Sequence, residues 1–410
     1  MQMTTLLREP AKRKLLLSAG LSWLFDAMDV GIVSFVAAAL AAEWKLGPQQ
    51  IGFLAAINST GMAVGAALAG AYADRFGRRA VLVATLLIFS VASGLSAFAT
   101  GFAMLCALRF VTGFGLGGEL PVASTLVSES FPARDRGSAV VLLESFWAAG
   151  WIAAALISFF VIPVYGWRAA FLIGAIPAIY AIYIRRAIQD SPRFQGERKL
   201  PFRSRIAAVW SAPYRSSTVA LWVLWFFVVF SYYGMFLWLP TVMVLKGFSL
   251  VKSFSYVLIM TLAQLPGYFT AAYFIEKYGR KFVLVTYLLL TAASAVWFAS
   301  AVSEGALIAA GLCLSFFNLG AWGAMYAYTP ELYPTAIRST GAGFAAAFGR
   351  IGGILGPYLV GFLVARAYKV TAVFGIFFAA IVVAALAVLL FGRETKGTDP
   401  DGLPAGRPLE

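Results

Sequence analysis

Apolar residues are gathered into twelve runs, roughly 15–42, 49–73, 80–99, 102–129, 138–164, 168–187, 217–244, 252–275, 281–302, 305–329, 341–365 and 370–391, each parted from the next by a polar break. A helix needs about 20 mostly apolar residues to cross a bilayer, and these runs meet that length. Lipid offers the backbone no hydrogen-bond partner, so each run is expected to close its own bonds as a helix. The runs form two sets of six around a polar stretch that carries Arg193, Arg198, Lys199, Arg203, Arg205 and Arg215. The pattern predicts an all-α membrane protein of two six-helix halves. An N-terminal half at 1–187 and a C-terminal half at 217–391 are expected, joined by a linker at 188–216 and followed by a flexible tail at 392–410. The run at 15–42 continues without a cleavage pattern and is read as a retained first helix.

The two sets are copies of one another. Gly70-Ala-Tyr-Ala-Asp74-Arg75-Phe-Gly77-Arg78-Arg79 is repeated 202 residues on, with Asp74 answering to Glu276, Gly77 to Gly279, Arg78 to Arg280 and Arg79 to Lys281. The same offset carries Glu129 to Glu331, Pro132 to Pro334 and Arg136 to Arg338. Physically such a loop suits a conformational latch: the acid can cap a facing helix or pair with an arginine, and the glycine permits the tight turn. The plainer alternative is that the charges only fix topology, although that alone requires neither the acid nor the glycine.

Charge settles the expected orientation. With both termini on one side, that side collects 24 of the 32 lysines and arginines and the other side six, while Arg109 and Arg350 fall inside helices. The positive-inside rule then puts the termini and linker in the cytoplasm. The formal charge of +14 is thus a matter of topology, and no basic patch for nucleic acid is read. Cys106 and Cys313 both sit in apolar runs and indicate no disulfide framework. The chain has no histidine. A nucleophile–histidine site is therefore impossible, any proton relay must use carboxylates, tyrosine or water, and neither a metal cluster nor a cofactor motif is read. An enzyme is not expected.

Six ionisable residues lie within the apolar runs: Asp26, Asp29, Arg109, Glu119, Glu144 and Arg350. Each costs about 2.5–3.5 kcal/mol to insert, so such groups face a cavity or a partner and mark function. None of the six recurs at the 202-residue offset, so the halves share a frame but not an interior. Asp29, near mid-membrane, is the first choice for a coupling proton, with Asp26 one turn away on the same face and Arg109 as the partner. A static Asp29–Arg109 pair is the alternative. Glu119, among Gly115, Gly117 and Gly118, is either a second proton site or a packing contact. Glu144, Trp147 and Trp151 share one face of the fifth run, which turns either to the cavity or, for the tryptophans, to a lipid-side aromatic belt.

Arg350 has no acid at similar depth in its own half, which invites an anionic ligand held by the planar fork of the guanidinium. Pairing with Glu144 or an aspartate of the other half is the alternative. Asn318, Trp322 and Tyr326 repeat every four residues on one helix face, and Tyr232 and Tyr233 stand together in the seventh run. A guanidinium beside flat rings suits a small aromatic acid.

The stretch at 70–79 resembles the signature loop of the major facilitator superfamily, and 276–281 its weaker copy. This resemblance covers about residues 15–396 and implies two halves rocking about a midplane site. More narrowly, Trp23-Leu-Phe-Asp26-Ala-Met-Asp29, Gly117-Gly-Glu-Leu-Pro-Val-Ala-Ser-Thr125, Phe230-Ser-Tyr-Tyr-Gly-Met-Phe-Leu-Trp-Leu-Pro240 and Tyr328-Thr-Pro-Glu-Leu-Tyr-Pro-Thr335 resemble the bacterial niacin (nicotinate) transporters. A looser likeness reaches the organic anion and cation carriers and the synaptic vesicle glycoproteins. In the anion carriers, residues matching Arg350, Tyr232, Tyr233, Trp322 and Tyr326 form the anion site. Trp322 stands where that family often has phenylalanine.

The resemblance implies a proton-coupled importer of nicotinate in a bacterial inner membrane, working as a monomer with protons and the small aromatic acid as its partners. Arg393-Glu-Thr-Lys-Gly397 resembles the end of sugar carriers but lies outside the cavity. The rival of the same fold is a proton-driven exporter of drugs or metabolites. Such exporters carry a glycine- and proline-rich fifth helix, whereas 140–162 holds only Gly150 and no proline.

Overall fold

The computed structural model describes residues 9–76, 78–130, 133–187, 202–334 and 337–396. Among them every regular element is a helix. The helices are α1 (Pro10–Glu43), α2 (Pro48–Phe76), α3 (Arg78–Ser96), α4 (Phe102–Ser130), α5 (Ala133–Ile173), α6 (Pro177–Ala187), α7 (Phe202–Val209), α8 (Ala212–Phe236), α9 (Leu239–Leu245), α10 (Leu250–Leu262), α11 (Gln264–Tyr278), α12 (Arg280–Ser300), α13 (Glu304–Glu331), α14 (Arg338–Ala365) and α15 (Val370–Phe391). Eight of the described helical stretches are long and apolar enough to cross a membrane by length and composition, and shorter apolar helices at Ala80–Ser96 and Phe102–Gly118 join them.

Fifteen helices make twelve crossings because α5 runs from the fifth crossing into the sixth, the sixth, seventh and eighth crossings are each broken in two, and α7 lies in the linker. Gly166, at φ 77° and ψ 171°, turns the chain inside α5 and so separates the fifth crossing from the sixth. The seventh crossing breaks between α8 and α9, where Pro240 opens the new helix. The eighth breaks between α10 and α11, where Pro266 withholds the N–H that would bond back across the junction. The polar linker contains α7, which packs on α14 and the start of α8. Its end is fastened by the Thr218 hydroxyl donating to the Val209 carbonyl at 2.8 Å.

The duplication read from loop residues is also a duplication of helix crossings. A side chain on Gly65 would collide with the Phe114 carbonyl, and 202 residues on, one on Gly267 would collide with the Phe316 carbonyl. Gly150 is pressed in the same way on the Leu24 carbonyl, and Gly352 on that of Phe226. In each half one pair of backbones therefore touches where α2 meets α4 (α11 meets α13), and another where α1 meets α5 (α8 meets α14).

Between the halves the broadest contact is α2 on α14, with α5 against α10, α11 and α13, and α1 against α9. The Ser34 hydroxyl donates to the Leu237 carbonyl at 2.8 Å. At the bundle end away from the termini, a Cβ on Gly52 would stand 2.8 Å from the Pro357 carbonyl oxygen, and one on Gly361 would stand 2.5 Å from that of Pro48. The seam is closed there, backbone against backbone.

Candidate functional site

Two polar centres occupy the middle of the bundle. The first lies wholly within the N-terminal half. Arg109 of α4 donates to Asp29 of α1 at 3.1 Å, and both side chains are 0% exposed. The Ser93 hydroxyl of α3 also donates to Asp29. Arg109 spends its other nitrogen on Ser96 and Thr112 at 2.8 and 2.9 Å, and its guanidinium lies 4.5 Å from the Phe171 ring centre. A pair so buried persists only because its remaining hydrogen bonds are largely filled.

The second centre lies on the seam. Arg350 is partly exposed, and its guanidinium approaches the Met62 sulfur of α2 at 4.0 Å. The Tyr233 hydroxyl lies beside it, and Asp26 acts on Tyr233 through its charge. No carboxylate among the described residues forms an ion pair with Arg350. Next to it Trp147 stacks on Trp322 at 6.4 Å and 14°, Tyr232 lies 4.8 Å from Trp322, and Trp322 lies 5.8 Å from Tyr326. The Trp147 indole donates to the Tyr232 hydroxyl at 2.7 Å, so the stack joins the two halves. Trp151 meets Tyr232 edge-on at 6.3 Å.

Trp147 and Trp151 are each 1% exposed, so this face of α5 turns into the bundle and not toward lipid. Glu144 on the same face is fully buried, and both of its oxygens lack a hydrogen bond. The Trp322 and Trp23 indoles and the Arg350 charge are the groups that act on it. Asn318 is buried one turn from Trp322, with its amide oxygen unbonded. The structure thus gathers Glu144, Trp147, Trp151, Tyr232, Tyr233, Asn318, Trp322, Tyr326 and Arg350 at one centre, and sets Asp29 with Arg109 apart from it. It also adds Trp23, Gln264 and Tyr268, which are buried and carry unbonded polar atoms. Gln264 and Tyr268 are uncharged, so a search for intramembrane charges passes over them; the signal that finds them is a polar side chain inside an apolar run.

The loop signature is seen in its second copy. Arg280 forks onto both oxygens of Glu276 at 3.1 and 2.9 Å, and its Nε donates to Glu331 at 3.2 Å. Gly279, at φ 104°, makes the turn between α11 and α12. Arg338 donates to the Tyr333 carbonyl at 3.2 Å. Of the first copy, Gly77 lies outside the described residues, as do the side-chain positions of Gly70, Asp74, Arg75, Arg78, Arg79, Glu119, Glu129 and Arg136.

The beginning of the tail is fastened to this corner. Glu394 accepts from the backbone N–H groups of Arg280 at 2.8 Å and Lys281 at 3.1 Å, capping α12, and Thr395 donates to Glu331 at 2.6 Å. Partial burial raises the Glu394 carboxyl, but the N–H groups of Lys396, Arg280, Thr395 and Lys281 outweigh it and hold the group below the ordinary carboxylate range. A depressed carboxyl contributes stability above its unfolded value and loses it as pH falls through the folded value. Glu394→Gln is expected to destabilise the fold at neutral pH by a cap's worth, about 1 kcal/mol, read as a lower melting temperature. The gap from wild type should close on acidification below the carboxylate range.

The fold and this paired interior define a membrane carrier, and the chain belongs to the Major Facilitator Superfamily, which it matches over residues 19–267 and 255–408. It is a multi-pass secondary transporter and not an enzyme. It is 58% identical to NiaP of Bacillus subtilis (strain 168), an inferred niacin/nicotinamide transporter, over 95% of this chain and 98% of that one. It is 44% identical to the niacin transporter NiaP of Acinetobacter baylyi (strain ATCC 33305 / BD413 / ADP1), over 93% and 94%. Among solved structures, the inward open xylose transporter XylE from E. coli superposes with a TM-score of 0.77 at 19% identity, covering 95% of this chain and 98% of that chain. That likeness speaks for the fold alone.

Proposed function

We propose that this protein imports nicotinate, or a closely similar small aromatic carboxylate, by alternating access with proton symport. The observation that carries the reading is Arg350, a guanidinium without an ion-pair partner among the described residues, beside the Tyr233 hydroxyl and the Trp147–Trp322 stack. A carboxylate would take the fork, and a flat ring would lie among the indoles and phenols. The two relatives named for niacin, alike over nearly their whole length, support the same cargo. Tyr232, Tyr326, Asn318 and Trp151 complete the proposed binding wall. In the proposed frame both termini are cytoplasmic, the membrane is the bacterial inner membrane, and the protein acts as a monomer. The 70–79 loop with Glu129 and Arg136, and its copy at Glu276, Gly279, Arg280, Glu331 and Arg338, act as the latch. The test is uptake of labelled nicotinate into proteoliposomes under an imposed pH gradient, in competition with nicotinamide, benzoate and quinolinate. Uptake that ignores nicotinate would remove the reading.

Proton coupling is assigned first to Asp29, whose protonation would release Arg109 from its only ion pair among the described residues. Asp26, Glu119 and Glu144 are the other acids proposed for the proton path. Asp29→Asn is expected to abolish accumulation driven by a pH gradient while leaving nicotinate exchange measurable. Accumulation at the wild-type level in that variant would move the role to another acid.

A further inference from the structure

Gln264 is 0% exposed, and neither its amide oxygen nor its amide nitrogen has a hydrogen-bond partner. A buried amide left unbonded costs about 1–3 kcal/mol, so a site that keeps one has a use for it. The residue opens α11, immediately after the break in the eighth crossing. Discontinuous helices of this kind line midplane sites in carriers.

Its surroundings place it at the aromatic centre. One turn on along the same face is Tyr268, which interacts electrically with Glu144, Tyr232 and Tyr326 and lies against Gly323. The crossing of Gly267 over Phe316, and the approach of Gly320 to the Gly267 carbonyl, set α11 and α13 side by side. Gln264 stands one turn beyond Tyr268 as Asn318 stands one turn beyond Trp322, so the two amides share a level. Tyr326 and Arg350 lie at the other end of the stack, about 12 Å from Asn318 along the helix at eight residues of rise. The centre is therefore graded: a cation at one end, rings in the middle and uncharged amides at the other end. At that amide end Gln264 offers an NH2 donor that no described residue engages.

We propose that Gln264 is a specificity-determining residue that donates a hydrogen bond to the ring nitrogen of the bound acid, and so selects pyridine carboxylates over benzene carboxylates. The proposal rests on the nicotinate reading above. Benzoate would offer a C–H to the amide and leave it unsatisfied, whereas the nitrogen lone pair of nicotinate would complete it. The test is competition against labelled nicotinate in proteoliposomes by nicotinate, isonicotinate and benzoate, for wild type, Gln264→Leu and Gln264→Met. In both variants nicotinate is expected to weaken about tenfold, while benzoate holds or improves, which also reports a folded site. Methionine keeps the length of the side chain and decides the matter if leucine unfolds the protein. Equal losses for nicotinate and benzoate, or no change for either, would overturn the role of Gln264 while leaving the cargo intact. A wild type that carries no nicotinate would instead bring down the cargo reading.

Discussion

Truncating Arg350 to alanine will weaken nicotinate binding by about 30-fold or more, because removing one member of a desolvated charge pair costs about 2–5 kcal/mol. The loss for nicotinamide, which has no carboxylate, will stay within about tenfold, the scale of a neutral hydrogen bond. The contrast follows from the surroundings of Arg350. The described residues give it the Met62 sulfur and the Tyr233 hydroxyl, and no carboxylate as an ion-pair partner. Arg350→Lys keeps the charge but not the planar fork and should fall between wild type and alanine. Calorimetric titration of both ligands into each purified variant checks this. Parallel losses for acid and amide would make Arg350 a structural residue and direct the search for the anion site elsewhere.

Placing tryptophan at Gly361 will abolish net uptake while nicotinate binding survives. Gly361 meets Pro48 and Gly52 of the other half with no room for a Cβ, so an indole there must part α2 from α14. Overpacking costs about 1–3 kcal/mol, and a shift of that size moves a two-state balance by about 5- to 150-fold. The form closed at this end becomes the minor one, and the cycle stalls with the site facing the side away from the termini. Uptake into proteoliposomes should vanish while titration of the purified protein still shows binding. Gly52→Trp should do the same from the other side of the seam. Normal uptake in both variants would mean that this contact does not close the path.

The crossings themselves were legible in the sequence, because apolar runs of bilayer length leave few alternatives and the 202-residue repeat fixed their grouping. The interruptions were less so. Pro240 and Pro266 sit inside runs that hydropathy treats as continuous, and only hydrogen-bond loss breaks them. Periodicity also gives a shared face without its direction. It put Glu144, Trp147 and Trp151 together, and their burial against Tyr232 and Trp322 decides between cavity and lipid. Asp26 and Asp29 show the limit from the other side. They are three residues apart, which is close to a turn but still offset around the helix, and that offset brings Asp29 to Arg109 and Ser93 while Asp26 acts on Tyr233. Gln264 and Tyr268 escape a search for charges because they are neutral, and the open hydrogen bonds that mark them are a property of packing.

The repeated glycine crossings have a mechanical consequence. Where Gly65, Gly150, Gly267 and Gly352 press backbone on backbone, no long side chain stands between the helices to change rotamer and absorb a displacement. Each half is then a stiff arm, and compliance is left to the seam between the halves. In the proposed alternating-access cycle, a stiff arm pivoting near the Trp147–Tyr232 bond would convert a small opening at one membrane face into a matching closure at the other, with little of the stroke lost in between. Leverage of that kind would explain why the crossings are duplicated to the residue while the charges between them are not.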